Sequence, residues 1–109
     1  MNEKPKKKTN RFEPINFMFD IGFEKYGITT SERLIYCAMW NVADVKGYCT
    51  LSRQRIERMT GASHQTVKNC IKKFIELGFI RIAKESTRQG VARTYQLKHF
   101  YYKRGQKTV

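Results

Sequence analysis

Long apolar runs are missing from this 109-residue chain. A helix needs about 18 or more consecutive apolar residues to cross a bilayer, and no stretch of the sequence approaches that. Residues Met1 to Thr9 are basic, but no apolar core follows them, so they do not read as a secretory signal. The expectation is a cytoplasmic protein with no membrane partner. Cysteine is scarce as well. Cys37, Cys49 and Cys70 form an odd, widely spaced set with no CxxC pair, and His64 and His99 are the only histidines. This is not metal-ligand spacing. The thiols are expected to be free and packed as small apolar groups, with no metal and no cofactor.

Acidic residues number only nine and are scattered, and no phosphate-binding glycine loop is present. Catalysis needs acid–base or nucleophilic groups converging in a pocket. Nothing in the sequence gathers them, so the chain is not expected to be an enzyme. There is no internal repeat, and no heptad seam that would announce a coiled-coil dimer.

Basic residues are abundant. Twenty-two Lys and Arg against nine Asp and Glu leave a net charge of +13. Such a chain is expected to meet a polyanion, either nucleic acid or an anionic membrane surface. The charge is polarised: residues 1–11 sum to +4, residues 12–50 to −2, residues 51–80 to +4 and residues 81–109 to +7. Forty per cent hydrophobic and 13% aromatic content supports a core of one domain. Residues 1–11 read as a flexible basic arm, which either follows phosphates or only solubilises. Residues 12–102 read as the domain and residues 103–109 as a basic tail.

Residues 12–28 crowd together Phe12, Ile15, Phe17, Met18, Phe19, Ile21, Phe23 and Tyr26, interrupted by Pro14, Gly22 and Gly27. Such a segment either packs back onto the domain or forms an oligomer contact. At Thr29 the pattern turns helical, with Glu32 three residues on as in a capping box. Leu34, Ile35, Ala38, Met39, Val42 and Ala43 recur at helical spacing, giving a first core helix to about Val42 or Ala43. Tyr48 to Leu51 suits a short strand. Ser52 caps a second helix of about Arg53 to Met59. Thr60-Gly61-Ala62-Ser63 makes a tight break. A third helix, about His64 to Leu77, places Val67, Cys70, Ile71, Phe74, Ile75 and Leu77 on one side, and Gly78 stops it. Phe79 to Ala83 and Ala92 to Leu97 then form a hairpin.

The order helix, short strand, helix, tight turn, helix, hairpin predicts a mainly α chain with a small β-hairpin wing. It is an α+β, winged helix-turn-helix architecture of three core helices and two to three short strands. The run from Leu51 to Lys68, with its Thr60-Gly61-Ala62-Ser63 turn and Thr66-Val67, resembles the helix-turn-helix of winged-helix DNA-binding proteins. So does the exit Leu77-Gly78-Phe79-Ile80. Ala62 stands where that pattern usually has Val or Ile. In general layout the chain is also similar to the N-terminal domain of phage and plasmid replication proteins of the O type. The resemblance implies a mobile-element protein, acting in transcription regulation, replication initiation or DNA transfer in a bacterial cell or phage-infected host.

Helix geometry then sorts the candidate DNA-binding residues. With Val67 at the centre of the buried face, Gln65, Asn69, Lys72 and Glu76 lie nearly opposite, flanked by Lys68 and Lys73. Gln and Asn suit adenine edges, and Lys suits guanine N7 or O6, so Gln65 and Asn69 are the expected base readers. Ser63, His64 and Thr66 at the helix start suit a phosphate. Lys68, Lys72 and Lys73 suit bases or backbone. Arg53 and Arg55 read as phosphate clamps, Arg88 as a wing-tip residue for a minor groove, and Arg81 and Arg93 as phosphate contacts. The expected partner is double-stranded DNA. A protein-interaction module or an RNA-binding protein is the alternative, and residues 12–26 or 99–102 are candidate surfaces for a homodimer or partner protein.

Overall fold

The capping box at Thr29 is present. The Thr29 hydroxyl accepts from the Glu32 amide at 3.3 Å, and the Glu32 carboxylate accepts from the Thr29 amide at 2.9 Å. The computed structural model describes residues 12–85 and 92–99. The expected arm (residues 1–11), the wing tip with Arg88, residues 100–102 and the basic tail lie outside them. Among the described residues the elements run in the order α1 (Phe12–Phe17), a π-helical turn (Met18–Gly22), α2 (Phe23–Tyr26), α3 (Thr30–Val42), β1 (Tyr48–Leu51), α4 (Arg53–Thr60), α5 (His64–Glu76), β2 (Ile80–Lys84) and β3 (Arg93–Leu97).

The sheet order is β1-β3-β2, antiparallel throughout. Tyr48 faces Gln96 and Ile82 faces Tyr95, with an irregularity between Ile82 and Lys84. The short strand expected before the second helix is thus the third strand of the wing sheet. Gly47 makes the turn into it at φ +88°, and a Cβ there would stand 2.9 Å from the Leu97 carbonyl oxygen. Only glycine offers both that backbone conformation and that close approach. The Asp44 carboxylate completes the turn by accepting from the Lys46 and Tyr48 amides, each at 2.9 Å.

Helix α3 supplies the centre of the core. Ile35, Tyr36, Met39 and Trp40 are fully buried, against Ile56 of α4, Val67 and Phe74 of α5, and Tyr95 and Leu97 of β3. The aromatic rings stack the layers together: Tyr36 meets Phe74 edge-on at 5.7 Å, and Phe74 lies 5.7 Å from Phe79. Aromatic pairs of this kind add about 0.5–1.5 kcal/mol beyond area burial. Among the described residues no charged side chain is buried, and no helix is long and apolar enough to cross a membrane.

The segment 12–26 is more helical than its Pro14 and glycines suggest. Pro14 sits in the first turn of α1, where a missing amide costs no hydrogen bond. Gly22 sits inside the helical run, with Ile28 and the Met18 sulfur packed close against it. The segment divides into two faces. Met18 and Pro14 are buried, and Tyr26 packs edge-on against Phe79 at 5.1 Å. Phe12, Phe19 and Phe23 stay 70%, 50% and 61% exposed, with the Arg33 guanidinium 5.7 Å from the Phe19 ring.

Helix α5 keeps its apolar residues on one side, with exposure rising at the edges of that side. Ile75 and Leu77 are exposed rather than buried. At 100° per residue both lie about 80° from Val67, at the two edges of the apolar arc, and Leu77 is already the C-cap. The central residues Val67, Cys70, Ile71 and Phe74 are all buried.

Candidate nucleic-acid interface

The tight turn between α4 and α5 is built from its own side chains. The Thr60 hydroxyl donates to the Ile56 carbonyl at 2.8 Å and accepts from the Ala62 amide at 3.1 Å. Gly61 takes φ +77° and its amide closes α4 on the Glu57 carbonyl at 2.7 Å. Ser63 then caps α5, accepting from the Thr66 amide at 3.1 Å and donating to the Thr66 hydroxyl at 2.9 Å. Across the turn, His64 Nδ1 lies 3.0 Å from a Glu57 carboxylate oxygen. A cap, a left-handed glycine and an inter-helix pair therefore fix the angle at which α5 leaves α4.

The outward face of α5 carries Gln65, Lys68, Asn69 and Lys72, all exposed. Gln65 Nε2 donates to Asn69 Oδ1 at 2.9 Å. Lys68 and Lys72 meet no carboxylate among the described residues. Thr66 is half-buried and engaged with the Ser63 cap. Glu76, the one acid of the helix, stands at its last residue.

Lys73 is placed apart from that face. Its Nζ donates to Glu32 at 2.9 Å and to the Gly27 carbonyl at 3.1 Å, so the ammonium ties α5 to the start of α3. Burial alone would raise the Glu32 carboxyl. The Thr29 amide and the Lys73 ammonium more than offset it and hold the group below its ordinary value. The flank position of Lys73 is visible in the helix geometry; its partner, 41 residues away, is not.

The remaining basic candidates are spread over α4 and the wing. Arg53 is half-buried and Arg55 exposed, both in the first turn that follows the Ser52 cap. Arg81 Nε donates to Gln96 Oε1 at 2.8 Å across the sheet. Arg93 pairs with Glu85 at 3.2 Å. Arg88 lies outside the described residues. Two exposed cations join these from the structure: Arg58, three residues after Arg55 and so on the same side of α4, and Lys84, at the end of β2 where the wing loop starts. The i, i+3 spacing of Arg55 and Arg58 is the signal in the sequence that points to the first.

A family model described as a helix-turn-helix domain matches residues 26–80, just over half of the chain. The chain belongs to that family. The match spans α3, β1, α4 and α5, and ends where β2 begins. A helix-turn-helix domain indicates DNA as the partner. Its elements here are α4 as the brace and α5 as the helix whose polar face is left open, while the hairpin β2–β3 makes the domain winged. No curated protein and no solved structure matches the chain.

The other reactive groups of this helix-turn-helix domain stand away from α5's open face. Burial pushes the Cys49 thiol up to about 12 and the Cys70 thiol up as well, so both are protonated at neutral pH and poor nucleophiles. Among the described residues no group of three or more His, Cys, Asp or Glu is placed to hold a metal ion. His99 Nε2 lies 3.2 Å from a Glu13 carboxylate oxygen, joining the residues after β3 to α1.

Proposed function

We propose that the chain recognises specific sites in double-stranded DNA, with α5 in the major groove and the wing against the backbone or minor groove. One observation carries this reading. The exposed face of α5 from Gln65 to Lys72 holds two amides, no acid, and two lysines that meet no carboxylate among the described residues, directly behind a core stripe that is fully packed. Amides and lysines are the side chains that match the donor and acceptor pattern of base edges, and a rigid backing is what lets them specify rather than merely attract. Arg53, Arg55 and the wing arginines supply the sequence-independent phosphate contacts. The role is binding, without catalysis.

The setting suggested by the general layout is a phage or plasmid protein in the cytoplasm, regulating transcription, starting replication or assisting DNA transfer. The exposed Phe12, Phe19 and Phe23 favour an additional protein contact, with a second copy or with a partner.

Selection of bound sites from random duplex DNA tests the proposal. A recovered motif supports it, and its symmetry reports whether one or two copies bind. Absence of duplex binding at moderate salt overturns it, and preference for structured RNA over duplex transfers the α5 face to a different polymer.

A further inference from the structure

A cavity of about 470 Å³ opens at the base of the wing sheet, where the end of α5, the turn before β1 and the strands β2 and β3 meet. Backbone hydrogen bonds hold these pieces together. The Leu97 amide donates to the Gly47 carbonyl and the Lys98 amide to the Phe79 carbonyl, each at 2.8 Å. The close approach of Gly47 to β3 brings Lys46 to the rim. Ile75, Ile80 and Leu97 are among the walls. Lys46, Arg81 and Lys98 add three cations from three separate segments, and no acid lines the cavity among the described residues. Asp44 spends its Oδ1 on the amides of its own turn, and Glu13 lies against His99.

Arg81 is held at this site before any ligand arrives. Its Nε donates to Gln96 Oε1 at 2.8 Å, and Gln96 is itself a lining residue. A guanidinium has five N–H bonds, so four remain on the two Nη atoms for a carboxylate or phosphate. Lys46 and Arg81 form no ion pair among the described residues. We propose that this cavity binds a small organic anion, a carboxylate or phosphate ester carried on an apolar body. Ligand sites commonly span about 300–1,000 Å³ and combine apolar walls with a few placed polar groups. A nucleic-acid backbone would call on the cations alone; the apolar wall beside them fits an amphiphilic small molecule. Along α5 the cavity meets Ile75 and Gly78, past the stretch from Gln65 to Lys72, and Ile75 stands about 15 Å along the helix axis from Gln65. The site does not rest on the DNA reading of α5. It takes Arg81 out of the wing's phosphate contacts.

The test is a titration of the full chain, labelled with nitrogen-15 and followed by its amide resonances at constant ionic strength. Phenyl phosphate and phenylacetate are the probes, and the tighter of the two names the head group. Inorganic phosphate and benzyl alcohol supply the anion and the apolar body separately. The tighter probe is expected to bind about tenfold or more above either half, which is what partial burial of an aromatic body is worth. The amides of Gly78, Arg81, Gln96 and Lys98 should move with it. Arg81→Gln is expected to lower probe affinity by about tenfold or more, the effect of losing a charged hydrogen-bond partner, and to leave the salt slope of duplex binding unchanged. Ile75→Ser is expected to lower it about threefold while inorganic phosphate binds as before. Both side chains are exposed, and unchanged amide positions elsewhere check that each variant is folded.

Probes that bind no more tightly than inorganic phosphate overturn the inference, since the cations alone would then account for the binding. Resonance shifts centred on Lys68 and Lys72 overturn it as well. So does an Arg81→Gln variant that keeps its probe affinity but lowers the salt slope of duplex binding, which returns Arg81 to the phosphate contacts. Failure to select a duplex site removes the DNA reading of α5 and leaves this cavity as it stands.

Discussion

The two long faces of α5 differ in what holds their side chains. On the inner face Val67, Cys70, Ile71 and Phe74 are gripped by three other elements of the core. Among the described residues, Gln65 and Asn69 on the outer face bond only to each other, and Lys68 and Lys72 meet no carboxylate. One helix thus packs into the domain on one side and, in the proposed reading, meets DNA with the other, with few residues belonging to both. Lys73 marks the border. It is a lysine on the flank of the polar face, yet its ammonium is committed to Glu32 and Gly27.

The comparison breaks most visibly at Phe74. Truncating a fully buried aromatic costs about 3–5 kcal/mol, so Phe74→Ala should lower the unfolding free energy by that much in a denaturant titration. A variant that folds with wild-type stability but no longer binds DNA would mean that the inner face is not the structural one. Gln65→Ala should do the reverse. It is expected to cost about 1–3 kcal/mol of affinity on the preferred site with an unchanged thermal midpoint, and an equal loss on random duplex would contradict base reading.

Lys73 sharpens the border. Because the pair is partly exposed, Lys73→Met should cost only about 1 kcal/mol of stability and leave the DNA salt dependence alone. The same junction has a pH signature. The Glu32 carboxyl is lowered in the folded state, so its contribution is complete above the ordinary carboxylate value of about 4.3 and is lost as pH falls through the lowered folded value. Glu32→Gln should flatten stability against pH in that acid window, and an unchanged acid limb would remove the pair from the stability of the fold. The smallest effect concerns the outer periphery. Arg53→Ala, and likewise Arg88→Ala, should weaken all duplexes alike and reduce the slope of log affinity against log salt by about 0.9 for each phosphate that is no longer neutralised. An unchanged slope would mean that the arginine touches no phosphate.

Much of the architecture was legible because local signals agreed with one another. Thr29 and Glu32, Ser52, Gly61 and Ser63 mark helix boundaries through hydrogen bonds to residues only a few positions away, and such bonds are written in spacing. The wing was legible from two short strand-like runs, of which Phe79 to Ala83 alternates only in part. The helical nature of residues 12–26 was not, because Pro14 and Gly22 are breakers in isolation and become compatible with a helix only by position and packing. The exposure of Ile75 and Leu77 was not legible, because a helical wheel says which side a residue is on, and not how far the neighbouring elements reach. In the candidate site, Gln65 and Asn69 stood out as residue types, and their i, i+4 spacing already permitted the bond that joins them. The commitment of Lys73 could not be read at all, since its partner comes from another helix.

The contact between His99 and Glu13 has a practical consequence. It joins positions 86 residues apart and brings the first and last stretches of the described residues together. Closely spaced positions of this kind are what circular permutation needs: a short bridge between residues 13 and 99 would close the described part of the chain into a ring. By the same geometry, labels placed beside residues 13 and 99 start close together, so a distance measured from one reports on the other.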